Sequence, residues 1–174
     1  MTFTDTHCHL ADPKLADTLP AVLAEAQAAG VARFIVPATS PKDWHSVAQL
    51  ERPSENIHIA LGIHPWFSDG LNEAAFQELE SELIQHPQAW IGEIGLDFYG
   101  KEQTQAQRGT QTDVFIRQLI LAQNLNRRVI IHNLKATAAI AAAVKTAGFT
   151  RGGIVHAFSG SVEEARILVK LGFK

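Results

Sequence analysis

The sequence contains a single cysteine in 174 residues, so no disulfide can form within the chain. This is compatible with a reducing compartment, and the N-terminus lacks both the basic start and the small-residue cleavage site of a secretory signal. No apolar run approaches the roughly 20 residues that crossing a bilayer requires. These absences lead us to expect a cytoplasmic protein with no membrane contact.

An excess of charge of one sign is also lacking. Fifteen Lys and Arg residues against 18 Asp and Glu residues give a formal net charge of -3 at pH 7. Such a chain has no broad basic surface for gripping duplex nucleic acid, so we expect any phosphate substrate to be held locally. The sequence has no linker, low-complexity tract or additional repeat, and its length suits one unit. We therefore expect a single domain over residues 1–174.

Short apolar runs alternate with longer helical patterns along the whole sequence. The expected strands span 3–9, 32–36, 57–61, 89–95, 128–132 and 153–157, and the expected helices span 13–29, 40–50, 76–84, 105–125, 136–147 and 162–171. This alternation predicts an α/β protein of the (β/α)8 TIM-barrel class. Because eight units take about 250 residues, only about six are present here. The pattern at 172–174 predicts entry into a seventh strand.

Five residues in this pattern are candidate metal ligands. His7 and His9 lie two apart on the first expected strand, so their side chains project from the same face. Glu93, His132 and His156 each close a later expected strand, at the edge where a barrel carries its active site. Imidazole and carboxylate suit zinc, manganese, nickel or iron, and magnesium less well. The sequence thus predicts a metal site in which Glu93 can bridge two ions.

Several motifs occur in a characteristic order: DTHCHL at 5–10, GIHP at 62–65, GEIGLD at 92–97, IIH at 130–132 and HAFSG at 156–160. Together with Gln111, Phe115, Gln118, Leu121 and Ala122 in the fourth expected helix, they resemble the signatures of the TatD family of metal-dependent deoxyribonucleases. The resemblance covers the whole chain. It implies a TIM barrel that hydrolyses phosphodiester bonds with metal-activated water, acting on DNA ends or on a small phosphoester.

The resemblance also implies a role for each candidate ligand. His7 and His9 would hold one divalent ion, and His132 and His156 would hold a second. Glu93 would bridge the two ions and act as a catalytic residue. Zinc, manganese, nickel and magnesium all remain open as the metal, and the oligomeric state is open as well.

Three further residues are expected on the substrate side of the site. His64 is expected to line the pocket, where it acts in catalysis by binding substrate or orienting a ligand. Trp66 lies in a loop on the same side, and its ring can stack on an unpaired base or pack over the barrel rim. The chain reads HNLK at 132–135, where the family usually has an arginine after a polar residue. The cation that faces phosphate is therefore either lost in this chain or replaced by Lys135, which is the candidate substrate-binding residue at this position.

One expected ligand has no counterpart in this sequence. The family's last metal ligand is an aspartate at the end of the eighth strand, whereas the last acid here is Glu164, on a helix. We expect the functional protein to continue past Lys174 with two more βα units that supply it.

Two alternative functions stay open. One is an amidohydrolase-type enzyme acting on a small amide, lactone or phosphoester, and the other is an inactive truncated barrel that binds metal. Amidohydrolases often carry a carbamylated lysine on the fourth strand, where this chain has Glu93, which favours the TatD-like interpretation.

Overall fold

The structure, a computed structural model, describes residues 1–52, 56–100, 103–156 and 158–174. Its six strands pair in chain order in one parallel sheet: β1 Phe3–Asp5, β2 Val31–Pro37, β3 Ile57–Leu61, β4 Trp90–Asp97, β5 Val129–Leu134 and β6 Gly153–His156. The helices are α1 Leu19–Ala28, α2 Trp44–Ala48, α3 Glu73–Gln85, α4 Gln105–Asn124, α5 Thr137–Thr146 and α6 Val162–Lys170. The sheet curls into a half-barrel, which confirms the predicted α/β barrel class. Within the described ranges, no helix has the length and apolar character needed to cross a membrane.

The face of the sheet that the helices cover is apolar, as expected for parallel strands that pack against helices. The main core lies between strands and helices and includes Phe34, Leu61 and Leu119. Alternate residues such as Ile35 and Ile130 form a smaller cluster on the opposite face. Because side chains alternate along a strand, these two clusters define the outside and the inside of the half-barrel.

The first strand is shorter than predicted, since it ends at Asp5 and not at His9. The reason is a local turn in which the backbone N–H of His7 donates to Asp5 Oδ1 at 3.1 Å and so leaves the sheet ladder. The chain rejoins β2 only at Cys8, whose N–H donates to Ile35 O at 3.2 Å. His7 and His9 therefore lie in a loop at the strand's C-terminal end.

Strands β4 and β5 run further than predicted. β4 continues past Glu93 to Asp97, and β5 continues past His132 to Leu134. Residues 94–97 pair in register with 131–134, so the ladder extends both strands together. The prediction that Glu93 and His132 close their strands is therefore wrong. The expected final residue of the sixth strand, Ala157, lies outside the described residues.

Helix boundaries also differ where capping chemistry intervenes. Residues 13–15 form a separate 3-10 turn, and α1 starts only at Leu19, because Pro20 is tolerated in a first turn but not inside a helix. The start of α2 is delayed to Trp44, since the Asp43 carboxylate accepts the backbone N–H groups of residues 39 and 40. By contrast, α3 starts early at Glu73, because Asn72 caps it.

After α6 the chain returns alongside β6, as the sequence predicted. Phe173 forms a parallel bridge with Gly153. Lys174 donates its N–H to Gly153 O at 3.0 Å and accepts from Val155 N at 2.9 Å. These contacts cover part of the β6 edge.

Gly95 allows β4 and β5 to approach closely beside the predicted site. Its φ is +136°, a conformation that L side chains rarely adopt. A Cβ atom at this position would lie 2.1 Å from the carbonyl oxygen of His132. Any side chain here would therefore displace the strand segment that carries His132.

Helix α4 holds the loops after β3 and β4 through two buried amides. Gln118 Oε1 accepts from Ile63 N at 2.7 Å, and its Nε2 donates to Ile63 O at 3.1 Å. Gln111 lies about two helical turns before Gln118, and its Oε1 accepts the backbone N–H of Asp97 at 3.0 Å. Both side chains are buried, at 0% and 6% exposure. The backbone next to His64 and at Asp97 is thus fixed by side chains of a distant helix.

We predict that Gly95→Ala lowers the free energy of unfolding by at least about 2 kcal/mol, because it combines a strained φ with backbone overlap. Chemical denaturation of the purified protein measures this. The matched control is Gly109→Ala on α4, where a Cβ meets nothing within 4 Å, and we expect it to stabilise by about 0.5–1 kcal/mol. Equal stability of the two variants would contradict the argument.

We also predict that Gln118→Leu destabilises by about 2–5 kcal/mol, since it leaves the buried N–H and C=O of Ile63 unpaired. Thermal and urea unfolding provide the measurement. Gln105→Leu, on the exposed first turn of the same helix, should change stability by no more than about 0.5 kcal/mol. A similar small effect for both substitutions would mean that the Ile63 contacts contribute little.

Candidate metal centre

The five predicted ligands come together around one carboxylate. His7 and His9 reach it from the loop after β1, and Glu93 projects from within β4. His132 comes from β5 and His156 from the last position of β6. Glu93 is 3% exposed, whereas the histidines border solvent to different degrees. The centre of the site is therefore a buried acid within a ring of imidazoles.

On one side of the carboxylate, His7 and His9 face Glu93 Oε2. His7 Nε2 lies 3.3 Å from that oxygen and 3.1 Å from His9 Nε2. In a tetrahedral zinc site with metal–ligand distances of about 2.0–2.1 Å, two ligand atoms lie about 3.3 Å apart. The ligand atoms of these three residues all lie within 4.8 Å of one another. Their spacing therefore fits one bound metal ion.

On the other side, His132 and His156 both contact Glu93 Oε1. His132 Nδ1 lies 3.0 Å from this oxygen, and His156 Nε2 also contacts it directly. The His156 ring stacks on His7, with ring centroids 3.8 Å apart and planes nearly parallel. One carboxylate oxygen thus lies near His7 and the other contacts His132 and His156, an arrangement that fits a bridging carboxylate.

His64 also approaches this carboxylate, but it does so with a ring nitrogen that carries a proton. Its Nδ1 accepts the backbone N–H of Trp66 at 3.2 Å, so the ring proton must lie on Nε2. That Nε2 is 3.7 Å from Glu93 Oε1. His64, Glu93 and His132 form the second group whose ligand atoms lie within 4.8 Å. A protonated Nε2 offers no lone pair, however, so His64 is suited to orient Glu93.

The pKa values of the two central groups move in opposite directions. Burial by itself raises the pKa of Glu93, but hydrogen bonds from His132 and His156 outweigh it and hold that pKa well below its ordinary value. Burial lowers the pKa of His132, yet its hydrogen bond to Glu93 and the charge of Asp97 raise it overall. The carboxylate therefore stays ionised, and His132 holds a proton more strongly than an ordinary histidine.

The other two buried histidines remain neutral near pH 7. Burial lowers the pKa of His7 to about 4, although the charge of Glu93 opposes this. Burial likewise lowers the pKa of His64 to about 4 against the same opposing charge. A metal ligand must be deprotonated. His7 is therefore in the form that binds metal without first losing a proton.

Two of the three residues expected on the substrate side, Trp66 and Lys135, lie at the rim. Trp66 is 70% exposed, but its indole N–H donates to Asp97 Oδ2 at 2.7 Å. Lys135 is exposed in the turn between β5 and α5, with φ at +56°. The sequence identified Asp97 only as part of the GEIGLD motif, with no role assigned to it. Gln111 and Gln118 were among the residues that carry the family resemblance, but their contacts with the backbone of Asp97 and Ile63 are tertiary and were not predicted.

Comparison with known proteins identifies the family. Residues 4–174 match the family model described as TatD related DNase. The chain is 34% identical over 174 residues to the Escherichia coli protein named uncharacterized metal-dependent hydrolase YjjV, covering 99% of this chain and 66% of that protein. It is 30% identical over 181 residues to the zebrafish protein named putative deoxyribonuclease tatdn3, covering 98% and 67% respectively.

Solved structures agree with this assignment. The crystal structure of Escherichia coli YjjV, described as a TatD homolog, matches with a TM-score of 0.90 over 99% of this chain and 66% of that one. A TatD family hydrolase from Entamoeba histolytica, at 22% identity and a TM-score of 0.84, supports the fold. This chain thus spans 66% of the length of YjjV and 67% of the length of the zebrafish relative. We conclude that it belongs to the TatD family of metal-dependent hydrolases.

Proposed function

We propose that this protein hydrolyses phosphodiester bonds at DNA ends with metal-activated water. The observation that carries the proposal is the ionised, buried carboxylate of Glu93, with His7 beside one oxygen and His132 and His156 in contact with the other. A buried carboxylate without a cation is costly, so this arrangement favours bound metal. The substrate class is supported by the family model's description and by the name of the zebrafish relative.

In this proposal each half of the site would hold one divalent ion. His7 and His9 would bind the first, His132 and His156 would bind the second, and Glu93 would be shared between them. The bound ions would lower the pKa of a water molecule and neutralise charge on the leaving oxygen. Zinc, manganese and nickel suit this donor set better than magnesium does.

The remaining residues orient the ligands and the substrate. His64 Nε2 lies 3.7 Å from Glu93 Oε1, and the ring remains neutral because burial lowers its pKa to about 4. The exposed ring of Trp66 offers a stacking surface for an unpaired base, an interaction worth about 1–3 kcal/mol. Lys135 supplies a cation for a flanking phosphate. With a net charge of -3, such local contacts take the place of a broad basic surface.

We predict that exhaustive chelation abolishes hydrolysis of single-stranded oligonucleotide ends and that readdition of zinc or manganese restores it. Glu93→Gln should lower kcat by at least about a thousandfold, because several kcal/mol of charge stabilisation are lost. The matched control is Glu78→Gln on the exposed face of α3, which should leave kcat unchanged. Product formation on end-labelled DNA gives the measurement.

The same assay separates the competing functions. DNA hydrolysis that survives chelation contradicts the proposal. Metal-dependent turnover of a lactone or amide, with none of DNA, favours the amidohydrolase alternative. Stoichiometric metal binding without turnover of any tested substrate favours the inactive metal-binding barrel.

We further predict that Lys135→Gln raises the KM for DNA ends several-fold with little change in kcat. If Lys135 contacts one phosphate, the slope of log KM against log salt concentration should fall by about 0.7–0.9. Lys145→Gln, in the last turn of α5, serves as the control for the loss of one positive charge. An unchanged salt dependence in Lys135→Gln would remove this residue from the substrate contact.

A further inference from the structure

Asp97 is the last residue of β4 and is 3% exposed. Its buried carboxylate contacts groups from three different parts of the chain. Its Oδ2 accepts the indole N–H of Trp66 at 2.7 Å and lies 3.3 Å from His132 Nε2. Its Oδ1 accepts the backbone N–H of Tyr99 at 2.9 Å. One carboxylate therefore joins a rim aromatic to a histidine of the metal centre.

The backbone of Asp97 is held equally firmly. Gln111 Oε1 accepts its N–H at 3.0 Å, and Gln103 Nε2 donates to its carbonyl oxygen at 2.9 Å. These contacts fix the position from which the carboxylate projects. Since both oxygens are also engaged, the side chain has a defined orientation and little freedom to rotate.

The consequence for His132 follows from what each atom can donate or accept. A carboxylate only accepts hydrogen bonds, so His132 Nε2 must carry a proton to bond Asp97. By the same rule Nδ1 donates to Glu93 Oε1 at 3.0 Å. Because Asp97 holds the Nε2 proton, Nδ1 is the nitrogen that would release its proton to bind a metal ion. Histidine ligands commonly donate their second N–H to a carboxylate, which fixes both tautomer and ring orientation.

We infer that Asp97 is a positioning residue that holds the proton of His132 on Nε2 and thereby directs Nδ1 to the metal. We infer in addition that Trp66, through the same carboxylate, links the substrate rim to this ligand. The inference rests on the proposed role of His132 as a metal ligand. It gives Asp97 no direct contact with metal or substrate.

The physical basis of the link through Trp66 is that one part of its side chain is exposed to solvent while its N–H is bound to a buried group. The ring is 70% exposed, but its N–H is fixed to a buried acceptor. A base that stacks on this ring would hold the indole, and with it Asp97, in the orientation that His132 requires. Substrate contact at the rim and ligand geometry at the centre are then coupled.

The test measures metal binding to the whole chain with no nucleic acid present. Metal-free protein is titrated with Zn²⁺ against a competing chelator, which gives both the affinity and the number of ions bound. Asp97→Asn keeps the side-chain shape but removes the charge, and we expect about 10–100-fold weaker binding with the same number of ions. Asp113→Asn, on the exposed face of α4, is the matched control and should bind as the parent does.

A second pair of variants tests the link to the rim. Trp66→Phe keeps an aromatic ring but removes the indole N–H, and we expect a smaller, several-fold loss of Zn²⁺ affinity. Tyr99→Phe keeps the backbone N–H that Asp97 uses and should have no effect. In histidine-labelled, Zn²⁺-loaded protein, the Nε2–H of His132 should exchange slowly with water, and faster in Asp97→Asn. A merely structural role for Asp97 would not alter this proton.

Each result bears directly on the inference. Unchanged affinity and proton exchange in Asp97→Asn would overturn it, and so would a loss of one bound ion at unchanged affinity, which would make Asp97 itself a ligand. Unchanged affinity in Trp66→Phe would overturn the link to the rim. If circular dichroism finds Asp97→Asn unfolded, Trp66→Phe and the exchange of the His132 proton decide. Absence of nuclease activity would bear on the proposed function and not on these measurements.

Discussion

The negative charge of the buried Glu93 carboxylate is the constraint around which this half-barrel is arranged. An isolated carboxylate at 3% exposure would be neutralised by protonation. Here hydrogen bonds from His132 and His156 keep its pKa low despite burial. Because those imidazoles come from separate strands, the charge stays compensated only while β4, β5 and β6 keep their register. The fold and the site therefore depend on the same strand pairing.

The strands and the loops after them are held in place by residues that take no part in the proposed reaction. Gly95 lets the β4 backbone come within contact distance of the His132 carbonyl. Gln118 forms hydrogen bonds with both the backbone N–H and the C=O of Ile63, the residue before His64. A buried amide that satisfies two backbone groups replaces contacts that water makes in a solvated loop. The backbone that precedes His64 is thus held in place by a buried side chain of α4.

The sequence predicted the order of strands and helices because apolar periodicity reports which residues are buried. It also predicted the five residues that surround the centre, since their positions near strand ends could be read from the pattern. It failed on β1 because an Asp5 side chain competes with the ladder for one N–H. It failed on the ends of β4 and β5 because extension depends on the partner strand. Hydrogen-bond partners such as Asp97 for His132 are tertiary and leave no periodic signal.

The charge balance of the centre explains why its histidines differ. Two buried carboxylates, Glu93 and Asp97, contact His132, and their combined charge raises the pKa of that ring. For the partly buried His7 and the buried His64, burial outweighs the opposing charge of Glu93, so their pKa values fall to about 4 and they add no positive charge at neutral pH. These two imidazoles therefore do not compensate the charge of the ionised Glu93 carboxylate. A divalent ion bound beside Glu93 would compensate it, which is the electrostatic reason why this cluster of residues is suited to metal.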